Sequence, residues 1–287
     1  MRCVVFVILL VLTFSLSAQQ DSSARVKDFS ELSLEELLNT EVYSASKTMQ
    51  RTDEAPAIIS SIQLNQLKTM GAVTLIDALK YIPSVEVSMG VNGFYRVAIR
   101  GMRKDGNILL LVDGQPLNDF YSGVAIFDLL IDFIDRVEII RGPGSAIYGS
   151  NAMAGVINVI TIKKNSISAS GGINNTVKVG VNLYKEKNKF SVATSLAGYM
   201  SAGANSKIDT DIVKTSAWSL TNGNKTFTTN RWNKDLYFNT NIAYGNLHLK
   251  VFDIARQQGM WAGPLYVATD NSNLFTNQVV ASVDYDY

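Results

Sequence analysis

The chain is nearly empty of cysteine and histidine. It holds one cysteine and one histidine among 287 residues. Cys3 lies inside an N-terminal apolar segment, so disulfides and cysteine-based metal sites are excluded. His248 cannot make a histidine-based metal site alone, and its surroundings fit the polar face of a hairpin strand. A net charge of +1 implies no polyanionic partner such as a nucleic acid, and 47% apolar residues do not describe a disordered chain. Long apolar runs are missing too. The run from Cys3 to Leu12, continued through Leu16, falls short of the roughly 20 residues that a membrane-crossing helix needs. With Arg2 ahead of it and small residues at Ser15, Ser17 and Ala18, residues 1–18 read as a secretory signal peptide. At this length the chain holds one large or two ordinary domains.

What the chain does have is a stretch at 134–161, where two apolar strand-like runs flank a loop rich in glycine. Val137, Ile139 and Arg141 fall on one face of the first run, with Arg136, Glu138 and Ile140 on the other. The second run, Val156 to Ile162, is Val/Ile-rich enough for a strand covered on both faces. Gly142, Gly144, Gly149 and Gly155 punctuate the loop between them. A phosphate-cradling loop fails on detail. Ile147 stands where a dinucleotide fingerprint wants its third glycine, no acid follows within 20 residues, and no Gly-Lys-Ser/Thr triplet occurs. A nucleotide-dependent enzyme is therefore kept only as a remote alternative.

The same stretch, I-D-R-V-E-I-I-R-G-P-G-S-A-I-Y-G-S-N-A-M-A-G-V-I-N-V-I-T, resembles the end of the plug domain of TonB-dependent outer-membrane receptors. Asp135 stands for a commoner Glu and Ile147 for a usual Leu. Upstream, A-I-R-G (98–101) and L-L-V-D-G-Q-P-L-N (110–118) match at the family's order and spacing. The resemblance covers about residues 40 to 165. It implies an α+β plug domain followed by antiparallel transmembrane β-barrel strands. It also implies that Thr40 to Lys47 is an energy-coupling box, in which Glu41, Val42, Tyr43, Ser44 and Ala45 pair with a strand of the inner-membrane partner TonB. Backbone pairing of that kind needs a β-favouring segment free of proline, which Val42 and Tyr43 supply.

Residues 19–50 form a periplasmic N-terminal segment. They include one short amphipathic stretch, S-L-S-L-E-E-L-L, and leave too little room for an extra signalling domain. Residues 51–164 alternate short elements. Strands are expected at Ala57 to Ile62, Ser84 to Val87, Arg96 to Arg100 and Ile108 to Val112. Helices are expected at Leu64 to Met70 and Thr74 to Ile82, the second with capping-box spacing at Thr74 and Asp77 and a stop at Pro83. Asp113-Gly114 makes a turn, and Asp128 to Ile134 is a helix or a strand.

From 165 to 287 only alternation remains. Val177, Val179, Val181 and Leu183 oppose Lys178, Gly180, Asn182 and Tyr184. The period recurs in Phe190 to Leu196, Leu236 to Tyr244, Leu247 to Val251 and Val279 to Tyr285, with Gly245-Asn246 as a turn. Such runs mark a transmembrane β-barrel, and the plug motifs favour it over a soluble sandwich of the same period. About five or six strands fit. A plug of about 120 residues is about 35 Å across. Eight strands close to only about 16 Å, whereas twenty-two give about 44 Å. The expectation is an incomplete barrel belonging to a receptor more than twice this length.

The resemblance implies transport, with no bond made or broken and no cofactor. The place is the outer membrane, with its lipid, TonB and a small nutrient as partners. A ferric siderophore comes first, and cobalamin or haem are the alternatives. From another class, a truncated secreted binding module without transport stays open. Apical loops 88–95, 102–107 and 118–125 offer Phe94, Tyr95, Arg103, Lys104, Phe120 and Tyr121, a mixture suited to an anionic, partly aromatic chelate. Arg100 and Arg141 match family arginines that lock the plug to glutamates of the barrel wall. In this chain they are expected to be exposed or to borrow Glu138 or Asp113.

Overall fold

A computed structural model describes residues 41–42, 50–51, 58–90, 92–208, 227–260 and 273–285. The signal-peptide segment, S-L-S-L-E-E-L-L, and Tyr43, Ser44 and Ala45 of the coupling box lie outside them. Glu41 and Val42 form β1 (Glu41–Val42), which pairs antiparallel with β2 (Gln50–Arg51), Val42 facing Gln50.

The plug follows as β3 (Ile59–Gln63), α1 (Leu64–Thr69), α2 (Leu75–Leu79), β4 (Val85–Met89), β5 (Tyr95–Ile99), β6 (Ile108–Val112) and β7 (Gln115–Pro116). A single 3-10 turn (Ile131–Phe133) leads into β8 (Ile134–Arg141), then α3 (Ser145–Tyr148) and β9 (Gly155–Thr161). The expected run from Thr74 to Ile82 is helical only over α2, and Asp128 to Ile134 proves to be mostly loop and 3-10 turn. Both helices start on a side chain that reaches back. Gln66 Oε1 accepts the Gln63 N–H at 2.9 Å, and Asp77 Oδ2 accepts that of Thr74 at 3.1 Å.

The plug sheet has the order β3-β8-β9-β6-β7, with β6 and β9 parallel and the other pairs antiparallel, while β4 and β5 form a separate hairpin. All five residues of β6 are buried, and six of the seven in β9, as befits strands covered on both faces. Each fully buried Leu or Ile is worth about 1.5–3 kcal/mol here. Gly155 is the close-approach point of the glycine loop. A Cβ on it would come within 2.4 Å of Ile140 O, so a side chain would part β8 from β9. That loop packs strands together.

A second sheet holds six long strands in the order β10 (Ser166–Gly172), β11 (Thr176–Lys187), β12 (Phe190–Ser201), β15 (Asn233–Tyr244), β16 (Leu247–Gly259) and β17 (Asn273–Tyr285). Between β12 and β15, β13 (Lys207–Ile208) pairs with β14 (Phe227–Thr228). The six strands are antiparallel neighbours, β10 and β17 are the two edges, and the sheet is open. Strands of 12 or 13 residues, such as β11, β12, β15, β16 and β17, are long enough to cross a bilayer at a tilt.

Alternation sorts the two faces. Val177, Val179, Leu183, Leu196, Leu236, Leu249, Val279 and Val283 are exposed on the outside. Asn182, Ser195, Ala197, Asp235, Tyr237, Asn239, Phe252, Ile254 and Arg256 are buried against the plug. Ala197, Tyr237, Phe252 and Ile254 join the plug's own hydrophobic core. Phe133 of the plug seats its ring 5.8 Å from that of Tyr237 and 6.0 Å from that of Phe252.

Candidate functional site

Two features of this architecture can serve function: a cleft at one end of the plug, and the seam along which the plug meets the inner wall. The cleft has a volume of about 350 Å³. Asn92, Phe94, Tyr95 and Arg96 line it from the β4–β5 hairpin, with Asp105, Asp119 and Ser122 from the following loops. Thr276, Asn277 and Gln278 of β17 close its far side. Arg96 and Asp105 form an ion pair at 3.1 Å. Asp119 caps its own turn, with the Ser122 hydroxyl and backbone N–H both donating to Oδ1 at 2.6 Å. Those bonds, the hydroxyl's first, hold the Asp119 carboxyl below the usual carboxylate range despite a small opposing effect of desolvation. The cleft thus presents amides, hydroxyls, two aromatic rings and an anionic rim, and its volume falls in the range that binds small molecules.

The six residues expected to meet a ligand divide. Phe94 and Tyr95 line the cleft, and Lys104 lines a narrow crevice beside it with Tyr95 and Arg96. Arg103 is paired with Glu86. Phe120 and Tyr121 stand at 104% and 98% exposure on the tip of the Asp119 turn, clear of the cleft lining. Asn92, Asp105, Asp119 and Ser122 went unnamed, although they lie in the three loops singled out. Thr276 and Gln278 were legible as the positions opposite the apolar parity of Val279, Ala281 and Val283.

The seam is polar, and acids of the plug meet bases of the wall along it. Asp132 meets Lys178 Nζ at 2.9 Å as an ion pair and accepts a hydrogen bond from Ser168 Oγ at 2.7 Å, while its carbonyl accepts from Asn182 Nδ2 at 2.8 Å. Asp113 accepts from Asn241 Nδ2 at 2.6 Å, and its carbonyl takes Lys250 Nζ at 3.1 Å. Gln115 and Gln278 add bonds to Ser282 Oγ and to the Leu117 carbonyl, each at 2.8 Å. At Asp128, Arg256 Nη1 donates at 2.6 Å while its Nε and Nη2 engage both oxygens of Asp235, at 3.0 and 3.2 Å.

Neither Arg100 nor Arg141 takes part in these contacts, and the expected facing glutamates belong to barrel strands outside this chain. Arg100 is exposed, in a left-handed turn with φ of 53°. Arg141 is half-buried and donates from Nη1 to the Pro83 carbonyl at 3.3 Å. Glu138 is fully buried and accepts from Arg136 Nε at 2.9 Å, while Asp113 also accepts from Thr161.

The family model of the TonB-dependent Receptor Plug Domain matches residues 51–156. That match identifies residues 51–156 as a receptor plug domain. The chain is 38% identical over 134 residues to the vitamin B12 transporter BtuB of Vibrio vulnificus, an alignment covering 46% of this chain and 22% of that protein. It is 37% identical over 132 residues to the iron-regulated outer membrane virulence protein of Vibrio cholerae, covering 43% and 20%. About a fifth of the length of each relative is thus spanned. Among solved structures, the ferripyoverdine receptor of the outer membrane of Pseudomonas aeruginosa superposes with a TM-score of 0.54 at 13% identity, covering 76% of this chain and 27% of that one. The ferric-catecholate import receptor Fiu of E. coli gives 0.51 at 20% identity, covering 76% and 30%. Those likenesses extend the shared fold past the plug into the receptor's barrel strands.

Proposed function

We propose that this receptor imports a scarce, bulky metal complex across the outer membrane, with a ferric siderophore as the first candidate. The observation that carries the reading is the cleft of about 350 Å³, placed where plug loops meet the inner face of β17. A ligand seated there touches both the plug and the wall, so binding is coupled to how the plug sits. Tyr95 and Phe94 supply flat apolar contact, and the amides and hydroxyls of Asn92, Ser122, Thr276 and Gln278 supply orientation. Cobalamin is the second reading, supported by the identity to the vitamin B12 transporter and by a lining in which Arg96 is already neutralised by Asp105.

Energy enters through residues 41–45, which pair with a strand of TonB. Val42 here faces Gln50 across the β1–β2 pair, so that pairing must yield to the partner strand. Saturable binding is expected when the receptor is titrated with ferric catecholate, ferric hydroxamate or cyanocobalamin, read by intrinsic fluorescence. One of the three should bind, and binding of none defeats the proposal. Val42→Pro removes a backbone donor from the coupling strand and is expected to abolish uptake while leaving that binding curve unchanged. Uptake at the wild-type rate in this variant would mean that the coupling segment lies elsewhere.

A further inference from the structure

We infer that Arg256 is a releasable latch for the plug. It holds Asp128 while the plug is seated and falls back on Asp235 and Tyr237 of its own wall when the plug moves. The guanidinium is 1% exposed, Asp235 3% and Asp128 14%. Arg256 spends two of its donors on Asp235, one on Asp128 and shares Nη2 with the Tyr237 hydroxyl at 2.8 Å. That hydroxyl in turn donates to the Asp128 carbonyl at 3.3 Å. Asp235 and Tyr237 lie on β15 and Arg256 on β16, paired neighbours in the wall, whereas Asp128 lies in the plug segment before the 3-10 turn.

An ordinary buried ion pair resists separation because each partner is left with an uncompensated charge. This cluster is built differently, with two carboxylates sharing one guanidinium. When Asp128 leaves for water, the wall keeps a bidentate arginine–carboxylate pair with its charges matched. While the plug is seated, Asp235 repels Asp128 and so weakens the hold. Asp235 therefore acts as a positioning residue that lowers the cost of release, and the two acids have opposite effects on the same bond.

The opposition gives the test, made on the intact receptor in bilayer nanodiscs with amide exchange of residues 124–134 as the readout and the strands β11 to β16 as internal control. Asp128→Asn should speed exchange in that plug segment by roughly ten-fold or more, the loss expected for a hydrogen bond to a charged group. Asp235→Asn should slow it, because Arg256 then has Asp128 as its acid and cannot leave it cheaply. Equal acceleration in both variants, the mark of a merely structural cluster, overturns the latch, and so does exchange at the wild-type rate in either. Should Asp235→Asn fail to assemble, Arg256→Lys serves instead. A lysine cannot bond two carboxylates through a planar fork, so plug exchange should rise with the barrel strands unchanged. Wild-type plug exchange there overturns the assignment as well.

Discussion

A methyl group built on Gly180 meets Asp132 Cβ and Ser168 Oγ at 2.8 Å each, whereas one built on Gly198, a strand away, meets nothing within 4 Å. Gly180 faces inward on β11, where the plug's 3-10 turn leans against the wall. Neither contact partner can retreat freely, since Asp132 is held by Lys178 and by Ser168 itself. Gly180→Val is therefore expected to unseat that turn at a cost of about 1–3 kcal/mol. Gly198→Ala should stay within about 0.5 kcal/mol of wild type. Urea unfolding of the two variants side by side checks this, and equal midpoints would mean that the turn does not press on the wall. The same positions show how much could be read from residue order. Gly180, Lys178 and Asn182 were separable from the valines by parity alone, but nothing in the order of residues paired Lys178 with an aspartate 46 positions upstream.

Helix α2 is five residues long and depends on its first turn. Asp77 Oδ2 accepts the N–H groups of Val73 and Thr74 at 3.1 Å each, and Lys80 Nζ lies 3.2 Å from Oδ1. Desolvation pushes the Asp77 carboxyl upward, but the backbone donors of Thr74 and Val73, with Lys80, together outweigh it and leave the group below its ordinary value. Because the folded form has the lower value, the cap stabilises fully above the unfolded carboxylate range, near about pH 4, and is lost as pH falls through the folded value. Asp77→Asn should remove that dependence. Urea midpoints of wild type should fall more than those of the variant between pH 6 and pH 3, and parallel slopes would assign the acid sensitivity to other groups. Asp77→Ala should cost about 0.5–2 kcal/mol. This cap was legible, since Thr74 and Asp77 have the required spacing. The early end of α2 was not, because the chain tightens there to three-residue spacing, the Tyr81 N–H bonding the Ala78 carbonyl at 3.0 Å and that of Ile82 the Leu79 carbonyl at 3.2 Å.

At the largest scale, the six long strands set exposed apolar side chains on one face of their sheet and a protein core on the other. That arrangement was legible from the period of two and the plug motifs together, while the seam was not. Strand alternation says which residues point inward, not what they meet, so acids on Asp113, Asp128 and Asp132 and bases on Lys178, Lys250 and Arg256 could not be matched beforehand. Val179 and Lys178 are neighbours in sequence and face opposite media. Val179→Arg should cost about 2–4 kcal/mol if it lies near the bilayer midplane and reduce the heat-modifiable folded fraction on a gel, while Lys178 in the wild type is tolerated. An unchanged fraction would mean that this face of β11 is covered by protein rather than lipid. Asp253, mid-strand on the outer face of β16, carries the less costly sign of charge. Parity has one more consequence, and it concerns assembly. If β16 paired one residue out of register during insertion, every side chain would change face, and Arg256 would leave its two acids for the hydrocarbon. The error would strand a guanidinium in lipid and expel Phe252 and Ile254 from the core at once. A misthreaded barrel would thus be marked as unstable at Arg256 before a plug or a ligand ever tested it.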